Sequence, residues 1–405
     1  MLRRRAIAAT MLVGLPALLY YLSGCLTYAD GTLAPPRILL DALRLAAPTA
    51  TAVTLYLAWL LLQAALQLVA PGKIREGTRL ADGSRLRYRL NGWFAFWATW
   101  IIVLAVVRAG WIPPSIAYDE FLPLLTTANI AAFALAAFLF WWGRRAPDPR
   151  RTGDPLDDYV MGVALNPRIG RLDLKFFCES RPGLILWVVI NASLAARQYE
   201  LFGRVTAPML LVNAFQFLYV ADYFFNEEAI LTTWDIRHER FGWMLCWGCL
   251  VWVPFMYSIQ AYYLATHPHE LPAVAITAIV ALNLIGYVIF RAANVQKHRF
   301  RTDPARAVWG RPPEYVRTAD GSLLLASGCW GIARHLNYLG DWMMGLAWCL
   351  PVGFARPVPW FYIVYFTILL IHRERRDNDM CRSKYGAAWE TYCRKVPWRI
   401  IPGIY

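Results

Sequence analysis

Hydrophobic residues of this 405-residue chain fall into long runs separated by shorter polar stretches. A helix that spans a bilayer needs about 20 mostly apolar residues, and the longest runs reach that length. The pattern predicts an all-α protein that is polytopic, with about ten transmembrane helices in a single domain over residues 1–405. The predicted segments are 6–26, 46–69, 93–112, 122–142, 184–195, 208–225, 241–264, 273–290, 342–354 and 360–371.

Two polar connections interrupt this pattern. Residues 71–91 contain short alternating runs around Asp82-Gly83, which predicts a β-hairpin with a tight turn. Residues 143–183 form a longer connection that contains Leu165-Asn-Pro-Arg-Ile-Gly170. Its aromatic residues and spaced Gly and Pro favour an ordered lid over a linker.

Composition and charge agree with an integral membrane protein. The chain is 58% hydrophobic and only 17% charged, against roughly a quarter charged in soluble domains. The net charge of +14 is spread among the apolar runs, which is typical of basic cytoplasmic loops and argues against a nucleic-acid partner. The basic residues before the first run predict a cytoplasmic amino end. Either the endoplasmic reticulum or a bacterial inner membrane fits this pattern.

Eight cysteines are scattered along the chain. Cys246 and Cys249 have the spacing of a redox motif but lie within a hydrophobic run, so buried free thiols are expected. No Cys and His residues show the spacing of a metal site, and we predict no metal.

Acidic and amide residues cluster at the end of the sixth hydrophobic segment. Ionisable groups at membrane depth are costly and often functional, and a buried carboxyl or a tyrosine can donate a proton. If this segment remains helical, Tyr219, Asp222 and Asn226 share one face, with Glu228 and Asp235 on a neighbouring face. The alternative is a helix end at the membrane interface, where acids favour an amino terminus.

Basic residues follow the eighth segment and recur near the end of the chain. Asn294, Lys297 and Arg301 have helical spacing and would present one amide and two cations on one face, as a phosphate clamp does. The alternative is ordinary positive flanking of a membrane span. Arg373 and Asp377 show the same helical spacing within residues 328–405.

Aromatic and amide residues alternate with the cations of residues 328–405. Trp330 and Tyr338 could sandwich a planar base, and the mixture suits an anionic, ring-bearing ligand better than lipid head groups, which need only positive charge. No glycine-rich fingerprint follows a strand, so a nucleotide site here is not of the Rossmann type.

Seven segments form a recognisable set of motifs in order along nearly the whole chain. They are Leu165-Asn-Pro-Arg-Ile-Gly170, Asn226-Glu-Glu-Ala-Ile-Leu-Thr-Thr-Trp-Asp235, Trp252-Val-Pro-Phe-Met-Tyr-Ser258, Asn294-Val-Gln-Lys297, residues 331–341, His372-Arg-Glu-Arg-Arg-Asp377 and Pro397-Trp-Arg-Ile-Ile-Pro-Gly-Ile-Tyr405. Together they resemble the sterol reductase family, which comprises delta-14 sterol reductase, 7-dehydrocholesterol reductase and the carboxyl-terminal domain of lamin B receptor.

The resemblance implies about ten membrane helices, NADPH as cofactor and reduction of a sterol ring double bond by protonation followed by hydride transfer. The family's cofactor positions match Lys297, Arg301, Leu325, Trp330, Asn337, Tyr338, Asp377, Cys381, Lys384, Tyr385 and Tyr392, to which we add Asn294, His335 and Arg373. The expected proton donors are Tyr219, Asp222, Glu228 and Asp235, and the expected substrate contacts are Asn226, Glu227, Trp234 and His238. Residues 1–200 would form the amino-terminal helices and loop, and residues 201–405 a catalytic half whose cofactor site faces the cytoplasm.

The double bond that is reduced is harder to infer. The segment from Asn226 to Thr233 resembles the delta-14 branch, whereas residues 241–248 are similar to the 7-dehydrocholesterol branch, and Cys249 stands where the family often has an acid. We favour the C14–C15 bond because the acid cluster should lie nearer the reacting alkene. The alternatives are a delta-7 reductase, a membrane S-adenosylmethionine-dependent methyltransferase and a non-catalytic sterol binder. The acid motif and the Asn-Pro-Arg loop argue against the methyltransferase, and the retained cations argue against the binder.

Overall fold

The structure, a computed structural model, describes residues 2–79, 83–145 and 150–405. The described chain is mainly helical, with three small two-stranded sheets, which confirms the all-α membrane class. It divides into two compact units, one of residues 1–269 with 356–359 and one of residues 270–355 with 360–405. The sequence predicted one domain whose halves meet at residue 200.

Unit 1 contains the first thirteen α-helices and two short stretches of tighter or wider helix. The helices are α1 (Leu2–Tyr28), α2 (Ile38–Leu45), α3 (Ala50–Val69), α4 (Gly92–Arg108), α5 (Ile116–Asp119), α6 (Phe121–Gly143), α7 (Pro155–Met161), α8 (Leu174–Ser180), α9 (Pro182–Phe202), α10 (Ala207–Phe225), α11 (Trp234–His238), α12 (Trp243–Trp247) and α13 (Ile259–Thr266). A 3-10 helix covers Glu227–Thr232, and a π-helix covers Gly248–Met256. Pro254 lies inside the π-helix, where its missing N–H removes one hydrogen bond of the regular α-helical pattern.

The predicted hairpin is present as β1 (Lys73–Arg79) paired antiparallel with β2 (Arg85–Leu90). Asp82 of the predicted turn lies outside the described residues. Gly77 is required where the strands pair, because a Cβ there would lie 2.5 Å from the Tyr88 ring. The hairpin therefore holds the Tyr88 side chain, which is buried, over the strand that faces it.

The described part of the connection 143–183 is ordered, as predicted. It contains α7, β3 (Arg168–Ile169), β4 (Leu172–Asp173) and α8. Asp173 begins α8 by accepting a hydrogen bond from the Phe176 amide at 2.9 Å, which is the usual role of an amino-terminal cap.

Unit 2 contains the remaining helices and one small hairpin. They are α14 (Ala273–Thr302), β5 (Tyr315–Arg317), β6 (Leu323–Leu325), α15 (Cys329–Ile332), α16 (Leu336–Cys349), α17 (Phe361–Tyr385) and α18 (Ala387–Lys395). Helices α14 and α16 pack closely because both have glycine at the contact. A Cβ at Gly340 would lie 2.6 Å from the carbonyl oxygen of Gly286, as in other membrane helix pairs with small residues at the interface.

Each of the ten predicted hydrophobic segments lies in a helical region, but the count of about ten spans is not confirmed. Among the described residues, six helices are long and apolar enough to cross a membrane. They are Arg4–Tyr28, Ala50–Val69, Phe121–Gly143, Ala207–Phe225, Trp243–Thr266 and Ala273–Thr302. Helix α4 is apolar but shorter, with 17 residues.

Candidate functional sites

Two helices of unit 2 bring the predicted cations together. Helix α14 continues without a break to Thr302 and carries Asn294, Lys297 and Arg301, so the predicted basic continuation is confirmed. Helix α17 runs from Phe361 to Tyr385 and carries the second group of predicted residues on one helix. We call the residues around Lys297, Trp330, Tyr338, Arg373 and Asp377 the basic site.

Lys297 and Trp330 form one side of the basic site. The Lys297 Nζ lies 4.1 Å from the centre of the Trp330 ring, a cation–π contact. The Trp330 Nε1 donates to the Ala293 carbonyl at 2.8 Å, and the Tyr392 hydroxyl donates to the Trp330 carbonyl at 3.3 Å. Trp330 is therefore fixed in the core beside buried Leu325.

Tyr338 and Asp377 form the other side. The Tyr338 hydroxyl donates to Asp377 Oδ2 at 3.0 Å, and the Arg373 guanidinium lies 6.0 Å from the Tyr338 ring centre. The His335 ring stacks on Tyr338 with centres 4.8 Å apart. Trp330 and Tyr338 were predicted to sandwich a planar base. In this structure the Trp330 ring packs against Lys297 and the Tyr338 ring against His335.

His335 is held neutral within this cationic site. Burial, followed by the nearby charges of Lys297, Arg334 and Arg373, lowers the pKa of His335 from 6.5 to about 3. A neutral imidazole adds no charge of its own, so it can stack and accept a hydrogen bond without repelling the surrounding cations.

The remaining predicted residues of unit 2 differ in accessibility. The Oδ1 atom of Asn337 is buried and has no hydrogen-bond partner among the described residues. Lys384 is exposed, with its Nζ 4.8 Å from the Tyr385 ring centre. Burial raises the pKa of Cys381 to about 11, so its thiol stays protonated near neutral pH and is not an activated nucleophile.

Two supports of the basic site were not predicted from the sequence. Gln296 Oε1 accepts from the Cys329 amide at 2.8 Å and holds the start of α15. Glu374 is fully buried and binds the carboxyl-terminal segment through Arg399 at 2.9 Å and the Tyr405 hydroxyl at 3.1 Å. Both contacts join residues far apart in the chain, so spacing alone gives no signal for them.

In unit 1, the predicted acids have different environments. Helix α10 ends at Phe225, and the Asn226 side chain donates to the Asp222 carbonyl at 2.9 Å and to Asp222 Oδ1 at 3.2 Å. Tyr219 lies beside the buried Trp187, with ring centres 6.3 Å apart. Glu228 is exposed and pairs with Arg75 at 3.1 Å.

Glu227 is held in a buried network. Its Oε1 lies 2.6 Å from Arg181 Nη2, and its Oε2 accepts from the Gly92 amide at 2.8 Å. Arg181 also donates to Gln67 and Asn91, each at 2.7 Å. The network ties together the ends of α3, α8 and α10 and the start of α4, so Glu227 has a structural partner where a substrate contact was predicted.

The last predicted residues of unit 1 lie on α11. The Trp234 ring lies against the His238 ring at a tilt of 38°, with ring centres 4.3 Å apart, and its Nε1 donates to Glu239 Oε1 at 2.8 Å. The Asp235 side chain is partly exposed, and its backbone carbonyl accepts from Lys175 Nζ at 2.7 Å. Lys175 also binds the carbonyls of Ile236 and Glu239, and so ends this short helix.

Glu179 on α8 is a candidate acid that the sequence reasoning missed. Its Oε1 is buried and has no hydrogen-bond partner among the described residues. Burial, reinforced by the negative charge of Asp235, raises the pKa of Glu179 from 4.5 to about 8 even though Lys175 opposes the shift. A carboxyl in this condition is protonated at neutral pH. It was missed because it does not belong to the cluster of acids that follows the sixth hydrophobic segment.

Comparison with known proteins shows which family the chain belongs to. A model of the ergosterol biosynthesis ERG4/ERG24 family matches residues 4–405. The chain belongs to this family. The resemblance to the sterol reductases is thereby confirmed over almost the whole chain.

Members of the ERG4/ERG24 family with assigned reactions are similar along most of the chain. A Delta(14)-sterol reductase of Methylotuvimicrobium alcaliphilum is 57% identical over 403 residues, 98% of this chain and 94% of that protein. A Delta(14)-sterol reductase of Dictyostelium discoideum is 45% identical and covers 88% and 79%. A 7-dehydrocholesterol reductase of Xenopus laevis is 43% identical and covers 88% and 81%.

Proposed function

We propose that this ERG4/ERG24 family member uses NADPH to reduce the C14–C15 double bond of a sterol intermediate. The observation that carries the proposal is the 57% identity to a Delta(14)-sterol reductase over 98% of the chain. The family match also favours a reductase over the methyltransferase alternative. The similarity to a 7-dehydrocholesterol reductase makes the delta-7 bond the second candidate.

The basic site fits the cofactor. Lys297, Arg301, Arg373 and Lys384 supply cations for phosphate groups. The unpartnered Asn337 Oδ1 is an acceptor suited to an amide or a ribose hydroxyl. NADPH, when bound, supplies the hydride. In a membrane protein with basic cytoplasmic loops, such a site would face the cytoplasm, where the nucleotide is found.

The acids of unit 1 would supply the proton. Donation of a proton to one alkene carbon leaves a carbocation at the other carbon, which then takes the hydride, and the acid regains its proton from water. The predicted donors remain Tyr219, Asp222, Glu228 and Asp235. We place Glu179 before them because its Oε1 is buried and its pKa is raised to about 8, whereas Glu228 is exposed and paired with a cation.

The function is tested with purified full-length protein, NADPH and two sterols offered in parallel, a delta-8,14 diene and a 5,7-diene. We expect the first alone to gain two hydrogens by mass spectrometry. Reduction of the 5,7-diene alone would replace the proposal with the delta-7 reaction. Binding of both sterols without reduction of either would favour the non-catalytic binder.

Glu179→Gln is expected to lower turnover by about 100-fold, which is within the usual contribution of a positioned acid. The amide keeps the shape of the carboxyl but has no proton to transfer. The binding constant for NADPH, measured by titration, should not change, because Glu179 is not among the residues proposed to bind the cofactor. Glu76→Gln, at an exposed position of unit 1 with no proposed role in the reaction, is the control and should keep near-normal turnover.

The pH dependence gives a second test of Glu179. Because its pKa rises from 4.5 to about 8 on folding, the folded protein holds a proton that the unfolded chain has released. Relative to pH values below 4.5, where both states hold the proton, the stability of the folded protein falls as the pH rises from 4.5 to about 8. The charges near Glu179 that influence this pH dependence are those of Asp173, Lys175, Asp235 and Glu239.

Turnover of the parent protein should fall above about pH 8, because Glu179 then has no proton to donate. An unchanged rate and pH profile in Glu179→Gln would remove Glu179 from the mechanism.

A further inference from the structure

A basic cleft in unit 1 is lined by none of the residues proposed for the reaction. It has a volume of ≈ 410 Å³ and is lined by the β1–β2 hairpin, the end of α3 and the segment 168–176. It thus joins two features that the sequence singled out and that the proposed function leaves unused, the polar hairpin and the Asn-Pro-Arg loop.

The lining carries a surplus of positive charge. Four arginines, Arg87, Arg89, Arg168 and Arg171, line the cleft with one acid, Asp173. Four cations less one carboxylate leave three positive charges. Among the described residues, no ion pair involves the exposed side chains of Arg87 and Arg171, while Arg89 donates only to a backbone carbonyl.

Arg168 lines the cleft and is held there by three contacts with the protein. Its Nε donates to Asp173 at 3.0 Å, its Nη1 donates to the Arg87 carbonyl at 3.1 Å, and its guanidinium lies 4.8 Å from the Tyr88 ring centre. Its Nη2 is buried and has no hydrogen-bond partner among the described residues. A buried guanidinium N–H without a partner costs free energy unless a ligand or water accepts from it.

The cleft lies at the end of a membrane span. Gln67 and Leu68 line it, and they belong to the last turn of the candidate span Ala50–Val69. Leu57, Leu61 and Leu68 are exposed by 50%, 71% and 43%. Leu61 and Leu68 follow Leu57 by 4 and 11 residues, so the three side chains lie along one face of α3. An apolar face that leads to a cluster of arginines matches an acyl chain joined to an anionic head group.

We propose that the cleft formed by Arg87, Arg89, Arg168 and Arg171 binds a phosphate group, supplied by an anionic glycerophospholipid whose acyl chain lies along α3. Arginine suits this role because its planar fork donates two parallel hydrogen bonds to one phosphate. The exposed leucines favour a lipid phosphate over free phosphate.

The test uses the full-length protein in detergent and measures binding and thermal stabilisation with three probes. They are phosphatidylglycerol, phosphatidylcholine and inorganic phosphate. We expect phosphatidylglycerol to bind and to raise the melting temperature, with phosphatidylcholine weaker by about tenfold or more, since it lacks net negative charge. The double variant Arg87→Gln/Arg171→Gln should weaken phosphatidylglycerol binding by about 100-fold, tenfold for each lost charge-assisted contact.

The matched control is Arg37→Gln/Arg108→Gln, which removes two exposed arginines of unit 1 outside the cleft. It should bind phosphatidylglycerol as the parent does, and both double variants should melt at the parent temperature without lipid. Stabilisation by inorganic phosphate that is lost only in the cleft variant would support the phosphate site and assign it to the free ion. Equal loss in the two double variants, or none in the cleft variant, would overturn the proposal.

Discussion

Asp377→Asn is expected to weaken NADPH binding and so to lower NADPH-dependent turnover, while leaving sterol binding intact. Asp377 accepts from the Tyr338 hydroxyl at 3.0 Å, and its charge lies among the cations of the basic site, where it interacts with Lys297. Asparagine keeps the size but removes the charge that orients these groups. Charge-assisted contacts contribute about 1.5–3 kcal/mol each, so NADPH affinity should fall by about 10- to 100-fold. Titration of NADPH and of sterol, separately, measures the two effects.

Asp379→Asn provides the matched control, because Asp379 lies on the same helix and is exposed. It makes the same chemical change two residues away and should leave NADPH affinity and turnover as in the parent. Arg373→Gln should reproduce the loss seen for Asp377→Asn, since its guanidinium lies over the Tyr338 ring. Normal turnover in both Asp377→Asn and Arg373→Gln would refute the proposed cofactor site.

The basic site was largely predictable because two helices carry it. Lys297 and Arg301 lie one turn apart on α14, and Arg373, Asp377 and Cys381 lie at successive turns of α17. Helical periodicity places such residues on one face whatever the rest of the fold does. Periodicity does not show which side chains the aromatic rings contact. In the structure, Lys297 lies over the Trp330 ring, and the His335 ring stacks on Tyr338.

The acids of unit 1 were less predictable because their environments depend on distant segments. Glu227 and Glu228 are neighbours in sequence, yet one is buried against Arg181 and the other is exposed beside Arg75. The 3-10 helix that follows α10 turns the two side chains to different surroundings. Glu179 acquires its raised pKa only when α8 is buried near Asp235, a contact between residues far apart in the chain.

The same pair of glutamates allows a stability prediction with an internal control. The side chains of Arg181 and Glu227 are 0% and 5% exposed, and their charged atoms lie 2.6 Å apart. The side chains of Arg75 and Glu228 are 45% and 63% exposed, and their charged atoms lie 3.1 Å apart. Arg181→Met should lower the free energy of unfolding by about 3–5 kcal/mol, because it leaves a buried carboxyl without its partner. Arg75→Met should change it by less than about 1 kcal/mol. Chemical unfolding in one detergent measures both.

Removal of both buried partners should cost less than removal of one. Burial raises the pKa of Glu227 despite the adjacent Arg181, so their attraction does not fully offset the cost of taking the carboxylate out of water. Arg181→Met/Glu227→Leu should therefore recover a large part of the stability lost in Arg181→Met. The recovery will be incomplete, because Gln67, Asn91 and the Gly92 amide lose hydrogen-bond partners. If Arg181→Met and Arg75→Met were equally stable, the buried network would not hold the ends of α3, α8 and α10 together.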